Sequence, residues 1–195
     1  MTLGGQPQSD QGFLFGKLLI AMPGMSDPRF EKSVILMCSH SEHGALGLIV
    51  NTPIPALPFR DLMIKMDIEV TDDAPRTPVL YGGPVDTDHG YVLHGSERAN
   101  RQATLPITPE IALTPTVDIL KAIASGRGPR RWLMALGYAG WGPGQIESEI
   151  VANGWIHCDS DAGLVFDAAM ETKWTRAFAK LGAGLSGLSS DVGRA

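Results

Sequence analysis

Histidines and carboxylates beside glycine-containing bends are the residues whose types could support acid–base chemistry. His40 and His94 each lie at the end of a predicted strand, and Glu147 and Glu149 lie in the first turns of a predicted helix. An imidazole titrates near neutral pH and a carboxylic acid can pass a proton, so a converging His/Glu pair would suit a hydrolase or transferase. That function requires the side chains to meet in one cavity.

Thiol and metal chemistry receive less support from the spacing. Cys38 and His40 share one face of a predicted strand, but Cys38 lies in the apolar run ILMC, where burial suppresses thiolate formation. His40 and His43 match no closed zinc pattern, and Cys38 and Cys158 form no CxxC pair. The sequence therefore predicts no metal site, and it indicates no cofactor.

Three glycine-containing segments are candidates for a binding surface. They are Cys38–Asn51, Tyr81–Val85 and Gly137–Gln145. Glycine permits positive φ and close backbone approach, so each bend can present N–H groups to a ligand or serve only as a tight turn. The third segment leads into a helix N-terminus, but Pro143 removes a donor and the nearby glutamates repel phosphate. We therefore predict no phosphate loop there.

The elements around these bends must bring them together. Ser33–His40 and Ala45–Asn51 are β-rich runs joined by a short turn, which predicts a hairpin. Further strands are predicted at Val79–Tyr81, Tyr91–His94, Ala103–Ile107, Trp132–Tyr138 and Trp155–Cys158. Helices are predicted after Pro58, from Thr114-Pro115 to Gly126, over Pro143–Ala152, and from an Asp167 cap to Gly182. The hairpins need antiparallel pairing, so a mixed sheet with flanking helices fits best.

Composition predicts one globular domain in a reducing compartment. The chain has 195 residues, of which 44% are hydrophobic and 19% charged, so it can fold by burial over residues 12–182. Residues 1–11 and 183–195 are expected to be flexible ends. The net charge of −5 argues against direct nucleic-acid binding. Only two cysteines and no membrane-length apolar run predict a cytoplasmic protein without membrane contact.

An ordered set of motifs resembles the AlgH/YqgE family of bacterial proteins. The motifs are Leu18–Pro23, His40–Asn51, Gly82–Val85, Tyr138–Trp141 and Gly144–Glu149, with Asp27, Phe30, Trp155 and Trp174. The resemblance implies an α+β fold, in which a largely antiparallel sheet bends into a partly closed barrel with helices around it. It implies a cytoplasmic bacterial protein and no particular reaction. The family name reflects a proposed regulatory role in alginate production, hence the description as a transcriptional regulator.

These residues are compatible with three functions, which differ in the role of the glycine-containing segments. The first is a binding or regulatory module that recognises an unidentified protein or small molecule. Its predicted site is formed by His40, Asn51, Gly82, Gly83, His94, Trp141, Gln145 and Glu147. The second is a hydrolase or transferase with a His/Glu pair. Direct DNA binding ranks lowest, because the chain has no basic stripe and no recognition-helix pattern.

Overall fold

The computed structural model describes residues 14–98 and 103–182. These residues form an α+β fold in which a curled, largely antiparallel half-barrel sheet is flanked by five α-helices. The strands are β1 (Lys17–Ala21), β2 (Val34–Ser41), β3 (Gly44–Ile49), β4 (Pro53–Pro58), β5 (Pro78–Tyr81), β6 (Val85–Gly95), β7 (Leu105–Pro106), β8 (Ile111–Thr114), β9 (Trp132–Trp141) and β10 (Trp155–Asp159). The helices are α1 (Phe59–Lys65), α2 (Val117–Ala124), α3 (Gln145–Val151), α4 (Ala162–Val165) and α5 (Lys173–Lys180).

Strand β9 joins the two halves of the sheet because it pairs with three other strands. Its C-terminal part, Ala139–Trp141, is antiparallel to β3, and its N-terminal part is antiparallel to β6. Within the part that pairs with β6, Ala135 and Leu136 also pair in parallel with β5 on the other side of the strand. The sheet order is therefore β10-β1-β2-β3-β9-β6-β8-β7, with β4 attached through β5.

Both faces of the β1–β3 region are buried. Leu18 and Ile20 of β1 pack in a core with Trp174 and Phe178 of α5. Leu19, between them in sequence, packs on the opposite face in the cluster that contains Trp141, Ile146 and Trp155. Because successive strand residues point to opposite faces, β1 is apolar at nearly every position. A third core lies under α1 and α2.

Most predicted elements are present, and several boundaries differ. The β2–β3 hairpin and the helix after Pro58 form as expected, whereas β1, β4 and β8 lie where no strand was predicted. Thr114 ends β8 and does not cap α2, which begins after Thr116. Asp167 accepts the Ala169 N–H, but α5 begins only at Lys173, after a 3-10 turn. The predictions for residues 1–11 and 183–195 lie outside the described residues.

Lys173 is a fully buried lysine that joins α5 to the sheet. Its Nζ donates to the carbonyl oxygens of Val50, at 2.9 Å, and Val165, at 2.6 Å. Burial disfavours the charged ammonium and lowers the pKa of Lys173 from 10.5 to about 8. The helical pattern does not single out this residue, because lysine is normally found on a solvated face.

Replacement of Lys173 by Met should change how stability depends on pH. The folded-state pKa lies below the unfolded value, so the folded wild type releases its proton first as the pH rises. Wild-type stability should therefore increase relative to Lys173→Met by about 3 kcal/mol between pH 8 and pH 10.5. Urea unfolding of both proteins across this range measures the difference.

Comparison of the wild type with Lys173→Met also removes the contributions of other titrating groups to the pH dependence of stability. Burial raises the pKa of Cys38 to about 12, so ionisation of this thiol in the unfolded chain opposes the lysine effect above pH 9. That contribution is common to both proteins and cancels in the difference. Parallel pH profiles for the two proteins would contradict the assignment.

Candidate functional site

A cleft of about 510 Å³ lies where the segment after β1, the end of β9, helix α3 and the start of β10 meet. We call it the indole cleft. One wall carries Asp27 and Arg29, and the other carries Trp141, Glu149 and Trp155. Polar, charged and aromatic groups from four parts of the chain therefore converge on one concave surface, as is typical of a binding site.

Glu149 lies at the centre of the polar contacts in the indole cleft. Its Oε2 accepts the indole N–H of Trp141 at 3.0 Å and that of Trp155 at 2.8 Å. Its Oε1 accepts the side-chain amide of Gln145 at 2.8 Å. Three neutral donors thus fix the half-buried carboxylate and leave its negative charge uncompensated by these contacts.

Helix α3 presents two functional faces because of its period. Gln145 and Glu149 are four residues apart, so they lie on the same face and both reach the indole cleft. Gln145 also accepts the Gly142 N–H through Oε1, which fixes the turn into the helix. Glu147, two residues from each, lies on a different face and contacts His40 instead. Glu147 and Glu149, the two acids considered for the predicted His/Glu pair, therefore lie at different sites: Glu147 at His40 and Glu149 in the indole cleft.

The aromatic side of the indole cleft is rigidly packed. The rings of Trp141 and Trp155 meet edge to face with centroids 6.0 Å apart, and Phe30 packs on Trp155 at 5.6 Å. Both indoles are almost fully buried, at 7% and 3% exposure. Such packing fixes the direction of the two N–H groups and therefore the position of the Glu149 carboxylate.

Across the indole cleft, Asp27 and Arg29 form an ion pair. Arg29 donates to the Asp27 carboxylate from Nε and Nη2, the latter at 2.6 Å, and its hydrogen bonds lower the pKa of Asp27. The guanidinium also lies 5.7 Å from the centre of the Phe30 ring. The two charges neutralise each other, so this wall adds little net charge.

His40 and Glu147, one form of the predicted His/Glu pair, do meet. The His40 Nδ1 accepts the Leu14 N–H at 2.8 Å, so Nε2 carries the proton and donates to Glu147 at 2.9 Å. The His40 side chain is only 1% exposed. Because both ring nitrogens are engaged and buried, this arrangement holds Leu14 and α3 to β2 and offers no nitrogen to a substrate.

His94 lies at the opposite end of β9 from the indole cleft. It pairs with Trp132, nine residues along the strand from Trp141. Its Nδ1 donates to Gly95 O at 2.8 Å, and its Nε2 contacts the Thr114 hydroxyl at 2.9 Å. The structure therefore separates His94 from His40 and places it in a buried structural network.

Asn51 holds a loop and does not line the indole cleft. Its Oδ1 accepts the Val34 N–H at 2.8 Å, and its Nδ2 donates to Lys32 O at 2.9 Å. These bonds fix the entry into β2. Asn51 lines a different hollow, which it shares with Trp174. Of the predicted site residues, only Trp141 and Gln145 therefore line the indole cleft.

Gly82 and Gly83 allow the backbone of β9 to approach closely. A Cβ on Gly82 would lie 2.2 Å from Gly137 O, and one on Gly83 would lie 2.1 Å from the Tyr138 carbonyl carbon. Gly83 and Gly137 also have positive φ, 153° and 71°. At these bends the glycines allow two backbone segments to pack against each other. This contact places Pro84 and Val85 at the indole cleft.

Sequence reasoning about chemistry missed Arg29 and the central role of Glu149. A local signal for the Arg29 segment exists, because Asp27-Pro28 matches an N-cap followed by proline, and Asp27 does accept the Arg29 N–H. No motif shows that Trp141 and Trp155, eight and six residues from Glu149, share its carboxylate. That contact arises only when β9 and β10 flank α3.

Metal-binding clusters and membrane-length helices are both absent from the described part of the chain. Within residues 14–98 and 103–182, no group of three or more His, Cys, Asp and Glu side chains is arranged to hold a metal ion. Over the same two ranges no helix is both long and apolar enough to span a bilayer.

The fold and the indole cleft define a class of α+β proteins with a curled sheet and a cleft at one end of its central strand. The chain belongs to the AlgH-like family, whose model matches residues 18–186. It is 52% identical over 194 residues to a UPF0301 protein of Rhodopseudomonas palustris (strain HaA2), which covers 95% of this chain and 89% of the relative. A UPF0301 protein of Caulobacter vibrioides is 48% identical over 187 residues, with 95% and 96% covered.

A solved structure is similar over nearly the whole chain. The solution structure of the AlgH protein from Pseudomonas aeruginosa matches with a TM-score of 0.75 and 38% identity, and covers 97% of this chain and 100% of that chain. The resemblance identified in the sequence is thereby confirmed, together with the fold class it implied.

Gly82→Ala should destabilise the fold by about 2 kcal/mol or more, because the new methyl group would overlap the Gly137 carbonyl. Gly24→Ala is the matched control, since a Cβ there meets nothing within 4 Å. Chemical denaturation of both variants measures the difference. Equal stability of the two variants would show that the backbone at Gly82 does not lie in close contact with Gly137.

Trp141→Phe should cost at least about 1–2 kcal/mol of stability, because a donor to Glu149 is lost and the phenyl ring fills less of the buried space than the indole. Trp132→Phe is the control: within the described residues its indole N–H has no hydrogen-bond partner, although its ring packs on Phe59. Thermal and urea unfolding of both variants test the contribution of the donor. A Trp141 variant no less stable than the control would argue against it.

Proposed function

We propose that this protein is a binding module whose indole cleft holds a cationic group of its ligand, an ammonium or a guanidinium. The observation that carries the proposal is the Glu149 carboxylate, which is fixed by three N–H donors. Among the ion pairs of the described residues, none includes Glu149. An oriented carboxylate without a cation favours a positively charged partner.

The electrostatics of the indole cleft support this preference. Asp27 and Arg29 neutralise each other, so Glu149 leaves the cleft with a negative charge, in a chain whose net charge is −5. A carboxylate has about four lone-pair directions, and three are used, which leaves room for a donor from a ligand. The adjacent aromatic rings also attract cations.

The other candidate functions receive less support. The His40–Glu147 pair has both imidazole nitrogens engaged, which does not suit a general base that must reach a substrate. The negative net charge disfavours direct DNA binding, so we propose that any regulatory role acts through ligand or partner recognition. We also propose a cytoplasmic location, supported by the free thiols of Cys38 and Cys158.

The test uses Nα-acetyl-arginine amide as a cationic probe and isothermal titration calorimetry as the measurement. Glu149→Gln should weaken its binding by roughly tenfold or more, because a charged hydrogen bond becomes neutral. Since the amide introduced at position 149 would face the amide of Gln145, the double variant Glu149→Gln/Gln145→Glu is included. It keeps a carboxylate–amide contact and moves the charge to the exposed position 145.

Glu147→Gln is the matched control, since it removes one charge from another face of the same helix. We expect it to change probe binding by less than about twofold. Nα-acetyl-glutamine amide, which has no charge, should bind poorly to every protein. Equal binding of the charged and neutral probes, or preference for inorganic phosphate through Arg29, would refute the cationic ligand.

A further inference from the structure

Among the described residues, strand β10 lies at an edge of the sheet and leaves the backbone groups on its outer side unpaired. Met22 donates its N–H to Gly154 O, and in an antiparallel ladder alternate residues face the same neighbour. Trp155, His157 and Asp159 therefore direct their N–H and C=O groups away from β1. No hydrogen bond within residues 14–98 and 103–182 reaches these outward groups.

Among the strands that end the described sheet, β4 and β7 are protected against strand pairing by proline, and β10 is not. Strand β4 contains Pro53, Pro55 and Pro58, and the two-residue strand β7 contains Pro106. Proline lacks the N–H that a new strand would bond, so it blocks an edge. Trp155–Asp159 has five residues and no proline. This contrast marks β10 as the edge that can accept another strand.

We propose that β10 binds an extended peptide of a partner protein by strand addition, and that a basic side chain of this peptide enters the indole cleft. The proposal rests on the cationic ligand proposed above and identifies it as an arginine or lysine of a peptide. Backbone hydrogen bonds would supply affinity, and the cleft would supply specificity.

The geometry links the edge to the cleft through Trp155. This residue is the first of β10, and its indole donates to Glu149. In an added strand, the residue opposite Trp155 points to the same face of the sheet, about 5 Å away at Cβ. That face carries α3 and the indole cleft, so a long basic side chain at this position is directed towards the carboxylate.

Charge favours a basic partner over a second copy of the chain. The chain has a net charge of −5, and the indole cleft has an uncompensated carboxylate. Two copies paired through β10 would bring together two clefts that carry charge of the same sign. A basic peptide instead supplies the missing charge with the strand.

The experiment compares the peptide acetyl-Thr-Val-Arg-Val-Thr-amide with Nα-acetyl-arginine amide on the full chain. We expect the peptide to bind the wild type at least about tenfold more tightly, because it adds backbone hydrogen bonds. His157→Pro removes an outward N–H without removing a bond to β1, and should abolish this gain. His157→Ala removes the imidazole but keeps the N–H, and should retain the gain.

A second measurement remains valid if the proline variant does not fold. In an antiparallel added strand the arginine opposite Trp155 directs its own backbone N–H to β10, and the valine that follows directs its N–H away. Methylation of the arginine backbone nitrogen should therefore weaken binding to the wild type by a similar factor, whereas methylation of the nitrogen of that valine should not. A peptide that binds no more tightly than acetyl-arginine amide would overturn strand addition. So would sedimentation equilibrium showing a dimer that His157→Pro dissociates, because a second copy would then occupy the edge.

The two proposals fail in different ways. Loss of peptide affinity in His157→Pro, with none in Glu149→Gln, would support the strand and refute the cationic cleft. Binding of acetyl-arginine amide that depends on Glu149, with no advantage for the peptide, would support the cleft and refute the strand.

Discussion

The close approach of two backbone segments holds this fold together. Gly82 and Gly83 lie against Gly137 and Tyr138, where no side chain would fit. Because of this contact β9 can pair with β5 and β6 along one part and with β3 along the next. The curl of the sheet, and the delivery of Trp141 to the end of β9, depend on that change of partner.

Except for the Ser33 hydroxyl, the buried polar side chains of the described residues have hydrogen-bond partners, and these partners explain which groups are available for function. His40 and His94 use both ring nitrogens inside the fold, and Lys173 donates to two carbonyl oxygens. Glu149 differs, because its three partners are neutral donors on a carboxylate that faces a cleft. A satisfied buried group stabilises one structure, whereas an oriented charge at a concave surface can also bind.

Local patterns account for much of the fold and little of the cleft. The β2–β3 hairpin and the helix after Pro58 follow from turn residues and periodicity, and both form as predicted. Strand β1 has no alternation because both its faces are buried, so its pattern does not distinguish a strand from a buried helix. The Thr114-Pro115 pair is typical of a helix start, but pairing with β6 makes Thr114 the end of a strand.

The sequence by itself determined the family, the α+β character and the places where the backbone bends at glycine, because these depend on residue types in a fixed order. Tertiary structure decided which polar residues meet. Trp141 and Trp155 reach the same oxygen of Glu149, and His40 and His94 lie apart, because β9 is long and α3 returns the chain beside its end. The meeting at Glu149 depends on how α3 packs between the ends of β9 and β10, and the separation of His40 from His94 depends on strand partners distant along the chain, so residue spacing alone encodes neither.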